Sequence, residues 1–171
     1  MNSHDNCIHW EQMVISDLQV VNAIGDAIHI ELPERPEVFE EKFRLFPAGC
    51  RKLVSHNQIV GYGISHPWLL NSIPPLDAFL ERLPEKPECL FIHDVAILPT
   101  ARGHNAAALY VAEMCTVAKA TNLQSLALVS VYGTTPLWAR FGFHVVDDPA
   151  LTSKLMSYGK TAKYMVRLIH E

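Results

Sequence analysis

The sequence predicts an α/β fold with its elements in the order β-α-α-β-β-β-α-β-α-β-β. Three observations carry that reading. An apolar run at residues 90–98 stops at Pro99, passes a short polar turn at 100–104 and enters an Ala-rich stretch that reaches residue 120. The run has the length of a buried strand and the Ala-rich stretch that of a helix. Ahead of it, two runs at residues 50–56 and 58–64 meet tightly at His56-Asn57, as a hairpin does. Behind it, residues 126–131 form a short apolar strand, followed by a turn and a short helix at 136–141 that Gly142 ends. The chain has 171 residues, of which 49% are hydrophobic. That suits one domain, residues 1–171, with a sizeable core.

In chain order, residues 7–15 read as a first strand. Ser16 and Asp17 start a helix that carries Leu18, Val21, Ala23, Ile24 and Ile28. Residues 32–36 break the chain. Pro36 then opens a second helix to residue 46, with Glu37, Glu40 and Glu41 in its first turns and Val38, Phe39, Phe43 and Phe46 as its apolar side. Its acidic face reads most simply as a solvated one. In the second hairpin strand, Gly61 and Gly63 alternate with Val60, Tyr62 and Ile64. Glycine there marks a close approach of ligand or backbone, or else a bulge or bend. Residues 66–88 hold Pro67, Pro74, Pro75, Pro84 and Pro87 and a short helical patch at 76–83. Long connections of this kind shape substrate mouths. His66, followed by Pro67 and Trp68, opens it. His66 reads either as a second base or substrate ligand, with Trp68 beside it, or as a loop histidine. In the Ala-rich helix, Ala107, Ala108, Val111, Met114, Cys115 and Ala118 form one apolar stripe, with Glu113, Thr116 and Lys119 opposite. Thr134 or Thr135 would cap the helix at 136–141. Residues 143–146 restart a strand, 147–154 are a connecting loop, and 161–169 are the last strand.

The net charge of −4 and pI near 6.1 offer no basic footprint for nucleic acid. The four cysteines, Cys7, Cys50, Cys89 and Cys115, show no C-x-x-C pairing and read as reduced thiols rather than a disulfide framework or zinc site. No signal-peptide start is present, and no apolar run approaches the ~20 residues of a membrane span. The expectation is a cytoplasmic protein without a membrane partner.

The strand–turn–helix unit has chemical content. The first turn of a helix leaves backbone N–H groups unpaired, and these, with the positive end of the dipole, favour a phosphate. Arg102 and His104 in the turn would add charge. The same unit also serves as plain α/β scaffold, and the two readings stand side by side.

The run V-A-I-L-P-T-A-R-G-H-N-A-A resembles the acyl-CoA signature of the GNAT superfamily of N-acetyltransferases, an Arg or Gln, two residues, a Gly, one residue, then Gly or Ala. Here the signature falls on Arg102, Asn105 and Ala107. Asn105 departs from the first glycine, although Asn is among the few residues that adopt positive φ readily. The resemblance implies a mostly antiparallel central sheet flanked by helices, and acetyl-CoA as co-substrate. The backbone of Val95, Ala96 and Ile97 would hold the pantetheine arm. The turn made by Arg102, Gly103, His104, Asn105, Ala106, Ala107 and Ala108 would hold the pyrophosphate. A second run, P-L-W-A-R-F-G-F, resembles the family's last motif, with Trp138 at the position where many members carry a Tyr near the CoA sulfur and Val131 where an Asn is often found.

Within the superfamily, I-H-D-V-A-I-L-P-T-A-R-G is most similar to arylalkylamine N-acetyltransferases, whose proton-relaying histidine falls on His93. By strand alternation His93 shares a face with Phe91, Val95 and Ile97, and Asp94 points the other way. A histidine suits base catalysis near neutral pH; the other reading of His93 is a core histidine bonded within the sheet. Tyr132 and Tyr158 are candidate acids or packing residues. A backbone N–H of Val95 or Ile97 would polarise the thioester carbonyl. Glu37, Glu40 or Glu41 would attract a cationic amine. The expected function is acetyl transfer to a primary amine of a small molecule by direct attack, in a monomer or homodimer. The rivals are a non-catalytic acyl-CoA-binding or regulatory module and a dinucleotide-binding domain, the latter without a G-x-G-x-x-G run.

Overall fold

In the computed structural model, residues 8–170 are described. Their strands are β1 (His9–Gln12), β2 (Cys50–Ser55), β3 (Gln58–Trp68), β4 (Cys89–Ile97), β5 (Ser125–Ser130), β6 (His144–Val145) and β7 (Lys163–Leu168). The helices are α1 (Leu18–Ile28), α2 (Pro36–Leu45), α3 (Ala106–Ala120), α4 (Thr135–Arg140) and α5 (Thr152–Met156). The strands form one sheet in the order β1-β2-β3-β4-β5-β7-β6. Only the β4–β5 pair is parallel; the other pairs are antiparallel. This is the mixed, mostly antiparallel sheet that the sequence implied.

Side chains alternate between the two faces of the central strands, which are buried on both, and with one stripe of each long helix they close three clusters. On one sheet face, α3 packs Tyr110, Val111, Met114 and Ala118 against Leu53, Leu90, Ile92, Leu126 and Leu128. On the other, α1 and α2 pack Val21, Ile24 and Phe39 against Tyr62, Ile64 and Ala96. That face continues over β4, β5 and β7 with no long helix to cover it. Ile73, Leu151, Tyr158 and Ala162 close it instead, against Phe91, Ala127 and Tyr164. α3 is also fixed by polar contacts. The Trp10 indole donates to the carbonyl of Ala106 at 2.8 Å, and the Tyr110 hydroxyl donates to the carbonyl of Gly49 at 2.8 Å.

The structure departs from the sequence reading in four places. The first strand is shorter than 7–15, and Cys7 lies outside the described residues. β3 runs on through His66, Pro67 and Trp68, which the sequence put in a loop. β2 pairs with β3 only as far as Ile64, so this stretch has β4 alone as a neighbour and a residue without an N–H is tolerated there. The helical patch at 76–83 does not form. Asp77 and Glu81 take positive φ, and the amides of Asp77, Leu80 and Glu81 are satisfied by the carboxylates of Glu34 and Glu41 rather than by a helical ladder. Residues 147–154, read as loop, contain the start of α5.

Candidate active site

One residue of β4 gives the site its shape. The β3–β4 register runs Ile64↔Asp94 and then Ser65↔Ile92, which leaves His93 as an extra residue on β4. A bulge of this kind bends its strand and increases the local twist. Leu90 and Ile92 therefore face α3, and so do Val95, three residues on from Ile92, and Ile97, two beyond that. Phe91 and Ala96 face the opposite way. Strict alternation would have put His93 with Val95 and Ile97 and turned Asp94 away. The bulge instead brings His93 and Asp94 to the same side, toward the connection between α1 and α2. There, His93 Nε2–H donates to Glu34 Oε1 at 2.9 Å, and His29 Nε2–H donates to Asp94 Oδ1 at 2.6 Å.

Just where the bulge occurs, β4 leaves β5. Their parallel pairing covers only Leu90↔Leu126 to Ile92↔Leu128. Beyond it the strands splay around a groove of about 750 Å³. Val95, Ala96 and Ile97 form one wall, and Val131, Leu137 and Trp138 lie across from them. At one end stand Arg102, Gly103, Asn105, Ala106, Ala107 and Ala108, at the other His29 and Tyr132. Asn105 sits at φ 56° as the residue before α3, and its side chain makes no cap hydrogen bond. It holds the left-handed turn that glycine would otherwise supply. The first intrahelical bond of α3 runs from the Leu109 amide to the Asn105 carbonyl, which leaves the amides of Ala106, Ala107 and Ala108 with no carbonyl one turn back. Arg102 donates through Nε to the carbonyl of Ile97 at 3.0 Å, so its guanidinium is held over the end of β4. His104 is exposed and lies outside the groove lining.

The histidine chemistry at the other end differs from the sequence reading. The His93 side chain has 0% exposure, so this residue meets the groove through its main chain. Its Nδ1 is buried without a partner among the described residues. His29, which sequence reading passed over, presents its ring to the groove. Its Nε2 is held by Asp94, its Nδ1 lies 3.2 Å from the Tyr132 hydroxyl, and the His29 and Tyr132 rings stack at 5.9 Å. Asp94 is fixed in turn by the Tyr62 hydroxyl, which donates to Oδ2 at 2.6 Å. Burial works against a charge on His29, but the hydrogen bond and charge of Asp94, with Glu34 adding, raise its pKa above the ordinary histidine value. Tyr132 is half exposed, and burial, Asp94 and Glu31 raise its pKa. Tyr132 stood out in sequence as a candidate acid and Asp94 as the neighbour of His93, but His29, which joins them, did not. A histidine at the end of an amphipathic helix carries no local signal of a partner sixty-odd residues away.

Other sequence candidates lie elsewhere. His66 is fully buried in β3 with its Nε2 unpartnered among the described residues, and neither it nor Trp68 lines the groove. The Tyr158 hydroxyl is buried and donates to the carbonyl of Pro74, and burial raises its pKa. Trp138 lines the groove, donates to Thr134 Oγ1 at 3.2 Å and packs edge-on to Phe141 and Phe143. Of the α2 acids, Glu41 ties down Leu80 and Glu81, and Glu40 pairs with Arg44. The acid that reaches the site is Glu34. The Cys50 and Cys89 thiols are buried, which pushes their pKa values up to about 12 and leaves them unreactive. No helix among the described residues is long and apolar enough to cross a membrane.

The buried groups around His93 make the fold acid-sensitive. Burial, with His93 adding to it, pushes the His66 pKa down to about 3, against an ordinary value of 6.5. Between those values the unfolded chain carries the extra proton, so stability falls with pH by about 1.4 kcal/mol per unit. Glu34 acts lower. Burial opposes its charge, but the charge and hydrogen bond of His93 hold its carboxyl near 2. Its contribution is complete above 4.5 and is lost as pH falls toward 2. Urea midpoints measured from pH 6 to pH 4, below the range where the raised His29 pKa adds stability as pH falls, should fall steadily, and His66→Phe should flatten the upper part of that slope. An unchanged slope in the variant would remove His66 from the account.

Residues 21–143 match the family model described as Acetyltransferase (GNAT) family. No curated protein sequence matches significantly. Among solved structures, the loading GNATL domain of CurA from Lyngbya majuscula is similar at TM-score 0.76 and 16% identity, over 96% of this chain and 98% of that one. Ard1 from Thermoplasma volcanium is similar at TM-score 0.71 and 13% identity, over 96% and 99%. N-acetylglutamate synthase from Neisseria gonorrhoeae, complexed with coenzyme A and N-acetyl-glutamate, is similar at TM-score 0.70 and 16% identity, over 96% of this chain and 36% of the synthase. At such identities the likeness is one of fold.

Proposed function

Because the chain belongs to the GNAT family of acetyltransferases, we propose that it transfers an acyl group, acetyl foremost, from CoA to a primary amine of a small molecule. The observation that carries this reading is the continuity of one groove. It starts at the unpaired amides of Ala106, Ala107 and Ala108 and runs along the splayed edge of β4 to His29 and Tyr132. The helix end suits a diphosphate, with Arg102 beside it. The released backbone at Val95, Ala96 and Ile97 suits the amides of a pantetheine arm, and a free N–H there would polarise the thioester carbonyl. Asp94, Glu31 and Glu34 gather negative charge near the far end, which favours a cationic acceptor. His93, the base that the sequence suggested, contributes its bulged main chain to the groove and its ring to the contact with Glu34. In this reading residues 1–171 are one catalytic domain, cytoplasmic, and a monomer or homodimer.

The test is thiol release from acetyl-CoA by the purified protein, with a panel of small amines and with short peptides bearing free N-termini. The expected result is release that depends on an amine. If CoA binds but no amine raises turnover, a non-catalytic acyl-CoA-binding module is the better description. A melting shift with NAD and none with CoA would overturn both.

A further inference from the structure

Resting on the acyl-transfer reading, we propose that His29, held by Asp94 and reached through the Tyr132 hydroxyl, takes the proton from the acceptor amine. The geometry is that of a carboxylate-oriented imidazole. Asp94 accepts from Nε2 at 2.6 Å, which fixes the tautomer and turns the Nδ1 lone pair toward the Tyr132 hydroxyl at 3.2 Å. Each member comes from a different part of the fold. His29 is the C-terminal cap residue of α1, Asp94 follows the bulge of β4, and Tyr132 follows β5 at φ 55°. The Tyr132 backbone conformation is one that a tyrosine rarely takes, and it points the ring back over His29. His29 and Tyr132 both line the groove, and Tyr132 also borders a second recess with Glu31, Met156 and Lys160. Tyr132 thus stands between the thioester groove and a second opening through which an amine would enter.

The protons balance as follows. One proton of the ammonium passes to the Tyr132 oxygen as the Tyr132 proton moves to His29 Nδ1, and the imidazolium is neutralised by Asp94. The amine nitrogen attacks the carbonyl carbon, the C–N bond forms and the C–S bond breaks. The second N–H proton ends on the thiolate sulfur, and His29 returns its proton to solvent. The products are the amide, CoA thiol and one proton.

The charged and titratable groups that face His29 are Asp94 from β4, Glu34 from the α1–α2 connection and Tyr132 from the β5–α4 turn. With Asp94 in place, the acid limb of kcat/KM should lie above the ordinary histidine pKa. Asp94→Asn removes the hydrogen-bonded carboxylate that does most to raise it and leaves burial, opposed only by the smaller effect of Glu34, so the limb should move to lower pH. His29→Gln should lower kcat by roughly a hundredfold, with CoA affinity by calorimetry unchanged. Tyr132→Phe should lower kcat with KM for acetyl-CoA unchanged. Wild-type protein that binds CoA but shows no amine-dependent turnover overturns the acyl-transfer reading and this assignment together. Wild-type turnover with His29→Gln within threefold of it, or an acid limb unmoved in Asp94→Asn, overturns this assignment alone.

Discussion

Replacing Gly63 with alanine should destabilise the protein by about 3 kcal/mol, or some 6–12 °C in melting temperature. A Cβ at this position would fall 2.3 Å from the ring of Tyr110. Real side chains do not approach so closely, so the ring must move. It is poorly free to do so. Tyr110 is fully buried, its hydroxyl lies 2.7 Å from Ser65 Oγ and donates to Gly49, and its ring packs 5.0 Å from that of Trp10. Trp10 in turn bonds the first carbonyl of α3. Displacing Tyr110 therefore shifts the helix end that frames the groove. CoA affinity should drop alongside thermal stability, and Tyr110→Leu in the Gly63→Ala background should recover part of the stability. A melting temperature within a degree of wild type would mean that the sheet yields there. Strand glycines suggest a ligand or another backbone close by; at Gly63 the close neighbour is an aromatic ring.

An aspartate at position 107 should have opposite effects on folding and on binding. Ala107 is the second residue of α3, and it lines the groove. A carboxylate there meets the positive end of the helix and should stabilise it by about 0.3–1 kcal/mol. The same carboxylate would sit beside a bound diphosphate. Two unit charges ~4 Å apart repel by about 4 kcal/mol at an effective dielectric near 20, and salt reduces that to a loss of roughly a hundredfold in CoA affinity. Calorimetry and a thermal melt on one sample check both signs. CoA affinity within threefold of wild type would mean that the diphosphate is held elsewhere.

The features legible in the sequence were those set by local periodicity. The hairpin, the Ala-rich helix and the turn before it stand where the apolar spacing put them, and Asn105 takes the left-handed conformation expected of a residue in a glycine position. Illegible features depend on partners distant in the chain. The bulge at His93 leaves no mark in the run I-H-D-V-A-I, because it is defined only by what β3 opposes. Its effect reaches every residue after it, since a slip of one position exchanges the two faces of a strand. That is why alternation turned Asp94 away from His93 although both point to the same side. The patch at 76–83 has the composition of a helix turn, yet its amides are taken up by Glu34 and Glu41 from a part of the chain that gives no hint of it. His29 was silent for the same reason.

Shortening β4 by its surplus residue would be instructive. A chain lacking His93 could keep strict two-residue repetition from Leu90 onward, which would let β4 stay beside β5 instead of parting from it. The opening would then zip shut while the hydrophobic layers on either side kept their composition. The surplus residue and the parting of β4 from β5 thus fall at one point of the strand, and the crevice opens there.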